Sequence, residues 1–205
     1  MAGHSEPKTG AAAALAALRT YLEARAMFSP GDLELVRGSF VWKHIPSGEF
    51  LHRAGDIARY GAFVANGCLR KYVIDPHGKE HIVQFAPETW WVGDSTPLAE
   101  PARATYFIDA IEDSEVLLID GPSHRRLLDQ VAGYAQAFRT GVQRSAAAKD
   151  QRIVSSLSAS AEERYLEFLR VYPSIAQRVP QAMLASYLGM TPETVSRIRK
   201  NLSRR

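Results

Sequence analysis

The chain has 205 residues, 46% of them hydrophobic and 23% charged, enough to bury a core in one large domain or two modest ones. Its single cysteine, Cys68, excludes an internal disulfide framework and any zinc or iron–sulfur site built on several thiolates, and it fits a reducing, cytoplasmic setting. The net charge is only +3, but from Arg178 onward Arg178, Arg197, Arg199, Lys200, Arg204 and Arg205 face the lone acid Glu193, which makes either a local basic face for phosphates or a solubilising tail.

Residues 1–38 read as a disordered tip followed by a helical lead-in. The run AAAALAAL from Ala11 to Leu18 is too short to span a bilayer and follows no basic leader, so no membrane association is expected. Leu15, Leu18 and Leu22 share one face of a helix over 11–28, and Ser29-Pro30-Gly31 reads as the turn that closes it.

Over 39–121 the texture becomes β-rich: FVWKHI, GAFVANGCLRKYVI, EHIVQFA, ATYFIDAI and SEVLLI are separated by turn signals, with Gly48, Gly55, Gly67, Gly78 and Gly93 between or within them. Many short strands at this spacing predict an antiparallel sandwich, jelly roll or barrel. Asp75-Pro76-His77-Gly78 has hairpin-turn chemistry. Trp90 and Trp91 read as core or pocket wall, and Cys68 as a small core residue.

From Gly121-Pro122 onward the pattern is helical, and the whole chain reads as α+β. Within 122–157, Gly133 is expected to separate a short helix from a longer one. There Val131, Ala135, Phe138, Val142, Ala146, Ile153 and Leu157 form a stripe with the spacing of a dimer seam, or of a helix packed on its own β domain. Residues 158–205 form the last segment, and Ser160 with Glu163 has the spacing of a capping box at its start.

In QAMLASYLGMTPETVSRIRKNL, Met183, Leu184, Tyr187 and Leu188 line one short helix and Gly189 permits a tight turn. Thr191 caps a second helix, with Pro192 in its first turn. Val195, Ile198 and Leu202 point inward, which leaves Pro192, Glu193, Ser196, Arg197 and Lys200 outside. This is a helix-turn-helix pattern, whose second helix presents its N-terminal residues to the major groove. Arginine can donate twice to guanine and a carboxylate can accept from cytosine N4, so Arg197 and Glu193 have base-reading chemistry; as an i, i+4 pair they could equally form a surface ion pair. Ser196, Thr191, Arg199 and the terminal arginines are suited to phosphates.

The order of β-rich domain, long helix and VPQAMLASYLGMTPETVSRIRK resembles the Crp/Fnr family of bacterial transcription regulators over roughly Phe40 to Leu202. The resemblance implies an N-terminal antiparallel jelly roll of cyclic-nucleotide-binding type, a dimerising long helix, and base-reading positions at Glu193, Ser196 and Arg197. It also implies double-stranded DNA as partner, a homodimer on a pseudo-palindrome with TG or TGA half-sites, and contact with RNA polymerase. Longer family members continue into a wing beyond the recognition helix; only three residues follow Leu202, so a wing is expected either before the helix-turn-helix, near Arg178-Val179-Pro180, or in rudimentary form.

By the same resemblance, VGDSTPLAEPARATYF matches the family's phosphate-binding cassette. Gly93 is kept, Asp94 replaces glutamate, Arg103 matches the arginine, and Ala104 stands where a hydroxyl is wanted, with Thr105 next to it. A cyclic nucleotide is the effector the family implies. These departures, together with SAAAKD over 145–150 in the helix that would face a purine, favour another small effector or a vestigial pocket. His44, His52, His77 and His81 on the β segment raise a cupin-like metal enzyme or ligand-binding protein as the alternative. No His-x-His pair followed by glutamate occurs, so no metal ligands, catalytic residues or enzyme activity are assigned.

Overall fold

Residues 7–94 and 102–204 are described by the structure, a computed structural model. They gather into two compact units, one combining the chain up to Val73 with Phe85–Gly141 and the other combining Ile74–Gln84 with Val142–Arg205. The division therefore falls inside the long helix rather than at residue 158, and a hairpin from the middle of the β-rich sequence belongs to the C-terminal unit.

The first unit opens with α1 (Pro7–Glu23) and α2 (Pro30–Gly38). The lead-in is thus two helices. Ser29-Pro30-Gly31, read as a closing turn, starts α2 instead: the Ser29 hydroxyl accepts from the Asp32 amide at 3.1 Å and the Asp32 carboxylate accepts from the Ser29 amide at 2.9 Å. This reciprocal box, with proline at the first turn, is a helix start.

Among the described residues ten strands follow: β1 (Val41–Ile45), β2 (Phe50–His52), β3 (Ile57–Ala58), β4 (Tyr60–Asn66), β5 (Leu69–Ile74), β6 (Glu80–Ala86), β7 (Trp91–Val92), β8 (Ala102–Arg103), β9 (Phe107–Ala110) and β10 (Ser114–Asp120). They form two four-stranded sheets, in the orders β1-β10-β4-β7 and β2-β9-β5-β6, and a two-stranded ribbon of β3 with β8. The strand pairs with recorded register are antiparallel. The expected jelly-roll architecture is what the chain adopts.

Strand β10 shows why two layers of core form. Val116 and Leu118 point into the space between the sheets with Ile45, Val64, Leu69 and Ile108, whereas Leu117 and Ile119 point the other way onto helices. That second face meets Leu18 and Leu22 of α1, Val36 of α2 and Leu127 of the helix that follows the sheet. Trp91 packs there with its ring 5.2 Å from Phe63 and 6.0 Å from Phe40, so it is a core residue, and Trp90 packs against the inter-sheet cluster. Cys68 is fully buried, as its sequence setting suggested.

GAFVANGCLRKYVI, one run in the sequence, becomes two strands because Gly67 turns the chain at φ +87°. A Cβ there would lie 2.3 Å from Ser114 Oγ and 2.7 Å from the Asp113 carbonyl.

Asp120 accepts from the Ser123 amide at 2.7 Å and starts α3 (Gly121–Gln130). Extended backbone at Val131 ends it, and α4 (Ala132–Ser158) begins at once. Gly133 therefore does not separate the helices. It sits in the first turn of α4, where a Cβ would come within 2.5 Å of the Met27 carbonyl.

The stripe read as one dimer seam also divides. Val131 and Ala135 are buried in this protomer's own core and the Phe138 ring stacks edge-on at 4.5 Å from His124, so these three serve the β domain. Ala146, Val142, Ile153 and Leu157 are exposed, the last three by 49%, 59% and 83%.

The second unit is completed by α5 (Ala161–Val171), α6 (Gln181–Leu188) and α7 (Pro192–Leu202). Ser160 and Glu163 form the expected capping box. Between α5 and α6 the chain makes successive turns with Ile175 and Val179 buried. The stretch around Arg178-Val179-Pro180 contains no strand, so it does not supply a wing. No helix among the described residues is long and apolar enough to cross a membrane.

Candidate nucleic-acid interface

The helix pair α6–α7 is assembled by local signals. Gly189 takes the left-handed conformation at φ +65°, and its amide donates to the Ala185 and Ser186 carbonyls, which closes α6. Two residues later the Thr191 hydroxyl accepts from the Thr194 amide at 3.3 Å and starts α7 with Pro192 at its first turn. Val195 and Ile198 are buried, with Leu202 half-buried beneath them. The side chain of Gln181 donates to the Pro192 carbonyl at 2.5 Å, tying the beginnings of the two helices together.

What remains outside is a solvent-open concavity of about 510 Å³ lined by Gln181, Pro192, Glu193, Ser196, Arg197 and Lys200. Among the described residues the Arg197 guanidinium has no hydrogen-bond or ion-pair partner, so the i, i+4 bridge to Glu193 is not formed. The Glu193 carboxylate is instead held below its usual pKa by its own backbone amide and by the Thr191 hydroxyl. It stays ionised, as an acceptor for an amino group, well into the acid range.

One predicted contact is differently placed. Arg199 points inward: its Nε donates to the Tyr165 hydroxyl at 2.9 Å and its Nη2 to the Ala176 carbonyl at 3.1 Å. It fastens α7 to α5 and to the turns after α5, and its guanidinium is engaged by the protein rather than offered to a phosphate. Position 199 lies four residues after Val195 and three before Leu202, so the helical period already puts it on the packed face.

In the first unit the cassette residues are largely satisfied by one another. Asp94 is buried and accepts from the Thr105 amide at 2.7 Å. Arg103 is exposed on β8, opposite Ile57, and donates to the Gly55 carbonyl at 2.8 Å. Ala104 is buried, with its amide on the Asp56 carbonyl and its carbonyl on the Gly55 amide. Gly93 offers its carbonyl to Lys71 Nζ at 2.9 Å, and that ammonium also lies 3.9 Å from the centre of the Tyr106 ring. The STPLAEP stretch between Asp94 and Ala102 lies outside the described residues.

The sequence reading did not single out Lys71, nor the burial of His52. His52 is buried, and among the described residues its Nε2 has no partner; burial pushes its imidazole pKa down, the Asp94 and Asp56 carboxylates oppose that, and Lys71 reinforces it. In LRKYVI, four consecutive residues are buried and Arg70 is neutralised by Asp109 at 2.7 and 2.9 Å, a non-alternating pattern that conceals which cation meets Gly93 and Tyr106. The four histidines do not converge. His44 is exposed on β1, His52 is buried on β2, and His81 bonds Asp75 at 2.8 Å across the turn that holds His77. No group of three or more His, Cys, Asp or Glu among the described residues could hold a metal ion.

Residues 42–131 match the family model of the cyclic nucleotide-binding domain. Across 171 residues the chain is 28% identical to the fumarate and nitrate reduction regulatory protein of Vibrio cholerae, covering 76% of this chain and 66% of that relative. The chain is thus similar to a bacterial regulator over most of its length and carries a cyclic nucleotide-binding-type domain. Solved structures share its fold. FixK2 from Bradyrhizobium japonicum has a TM-score of 0.71 at 20% identity, covering 80% of this chain and 85% of that one. A Crp/Fnr-family transcriptional regulator from Eubacterium rectale has a TM-score of 0.65 at 16% identity, covering 86% and 84%. The Vibrio cholerae and Eubacterium rectale proteins are regulators, and they give no support to the metal-enzyme alternative.

Proposed function

We propose that this protein is a cytoplasmic transcription regulator of Crp/Fnr type that reads a pseudo-palindromic DNA site as a homodimer, with Glu193 and Arg197 contacting bases. The observation that supports this most directly is the division of labour on α7. Val195, Ile198 and Arg199 are used to hold the helix, while Glu193, Ser196, Arg197 and Lys200 stand unobstructed around one concavity. A groove-reading helix needs this arrangement of a fixed back and free donors on its N-terminal half. Thr191 and Lys200 serve phosphates, and Pro192 packs at the entry. Half-sites with a TG or TGA core, and RNA polymerase as a protein partner, follow from the family.

The test is selection of binding sites from random DNA by the wild-type chain and by Arg197→Ala. The wild type enriches a two-fold symmetric site. The mutant loses discrimination at one guanine per half-site by roughly 10- to 100-fold, the range of one bidentate arginine contact. Identical enriched sites for both proteins would remove Arg197 from the readout, and no enrichment by the wild type would remove the function itself.

The exposed stretch of α4 from Val142 to Leu157 supports the second copy as its cover. For the effector pocket we favour a ligand other than a cyclic nucleotide, since Arg103 is engaged by Gly55 and Asp94 by Thr105.

A further inference from the structure

The hairpin segment Ile74–Gln84 lies in the same compact unit as the helix pair α6–α7, although in sequence it sits amid the β-rich region. Strand β6 is at the end of its sheet, where a strand has backbone groups without a neighbouring strand. Helical residues of the second unit satisfy them. The Ser186 hydroxyl, in α6, accepts from the Ile82 amide at 3.1 Å and donates to the Glu80 carbonyl at 2.8 Å. Arg152, in α4, donates from Nη1 to the Val83 carbonyl at 2.7 Å and from Nη2 to the Ile82 carbonyl at 3.0 Å.

The same Nη2 also donates to the carbonyl of Tyr187 at 2.7 Å, and the guanidinium lies 3.9 Å from the centre of the Tyr187 ring. Tyr187 is itself fixed edge-on by Phe168 of α5 at 5.5 Å. One half-buried arginine thus joins three pieces: the long helix, the edge strand, and the end of α6 two residues before the Gly189 turn.

We infer that Arg152 and Ser186 are positioning residues that clip the end of α6 to strand β6, so that the 74–84 hairpin sets the pose of the reading helix. The hairpin's strands run on into the β domain at Val73 and Phe85. A shift of that strand pair is therefore delivered to α6 directly, as a second connection beside α4. Lysine in place of Arg152 could keep one donor direction, whereas the planar fork reaches two strand carbonyls and a helix carbonyl together. The consequence for DNA rests on the proposed function; the clip itself does not.

The test uses the full chain with Arg152→Ala, Arg152→Lys and Ser186→Ala, and reads two quantities. Hydrogen exchange at the Ile82 amide, which donates to the Ser186 hydroxyl, should accelerate roughly tenfold in Ser186→Ala, the scale of one lost hydrogen bond, and should also accelerate in Arg152→Ala as the end of α6 loosens from the strand, while amides of β10 keep their protection. Affinity for the DNA site selected by the wild type should change at least about threefold in Arg152→Ala, in either direction, with binding to non-specific DNA unchanged and with partial recovery in Arg152→Lys. Unchanged exchange at Ile82 would overturn the clip. Faster exchange with unaltered affinity for the selected site would overturn its role in positioning. If the wild type selects no DNA site, the proposed function fails, and exchange at Ile82 still decides whether the clip exists.

Discussion

Arg199 and Arg197 are two residues apart on α7 and do opposite things. Arg197 lines the open concavity with no partner among the described residues, whereas Arg199 is held by the Tyr165 hydroxyl and the Ala176 carbonyl. Hydrogen bonds from a charged donor contribute about 1.5–3 kcal/mol each, and removing the arginine also strands its acceptors, so Arg199→Ala should destabilise the C-terminal unit by about 2–3 kcal/mol. Urea denaturation followed by circular dichroism should show a lowered midpoint. If the midpoint holds and the salt dependence of DNA binding weakens by about one counterion, Arg199 contacts phosphate after all. The sequence made the outward side of α7 legible because Val195, Ile198 and Leu202 mark its inner face unambiguously. It hid the role of Arg199 because a charged residue on a packed face looks like a surface charge until its partners, 34 and 23 residues earlier in the chain, are in view.

The elements of regular period were the readable ones. Helices α5 to α7 follow from capping residues and apolar spacing, and strands β1, β6 and β10 lie within runs visible in the sequence. Strands β3, β7 and β8 were not legible, since two residues cannot display an alternation. Helix α4 was legible as a helix but not in its use: an apolar stripe does not say where one partner ends and another begins. With Val131 and Ala135 buried in the protomer, the part of the stripe open to a second copy starts near Val142. If α4 forms the proposed dimer seam, Ile153→Asp combined with Leu157→Asp should convert a dimer into a folded monomer in analytical ultracentrifugation, because each aspartate would put a charge in that seam. A dimer that persists in the double variant would place the interface elsewhere.

For the whole molecule, the jelly roll matches the model of a cyclic nucleotide-binding domain, yet the two residues proposed to meet such a ligand each already hold a bond within the protein. Arg103 spends one of its donors on the Gly55 carbonyl, and Asp94 accepts from the Thr105 amide. Calorimetry with cyclic AMP and with cyclic GMP should show no saturable heat at micromolar concentration, and binding that is lost in Arg103→Ala would reverse this view. The fold was evident from strand spacing, but the state of the pocket was not. Spacing shows that Arg103 and Asp94 are present and cannot show that nearby backbone groups have already taken them.

The sealed position of Cys68 has a practical consequence. It is the protein's one thiol and is fully buried, with its amide bonded to Ser114 Oγ behind the turn at Gly67. A cysteine introduced at the exposed Ser196 would therefore be the site that a thiol-reactive fluorophore or spin label reaches in the folded protein. The outward face of α7 can be instrumented without first removing a native thiol, and the proposed approach to DNA can be followed by a signal that comes from that one position.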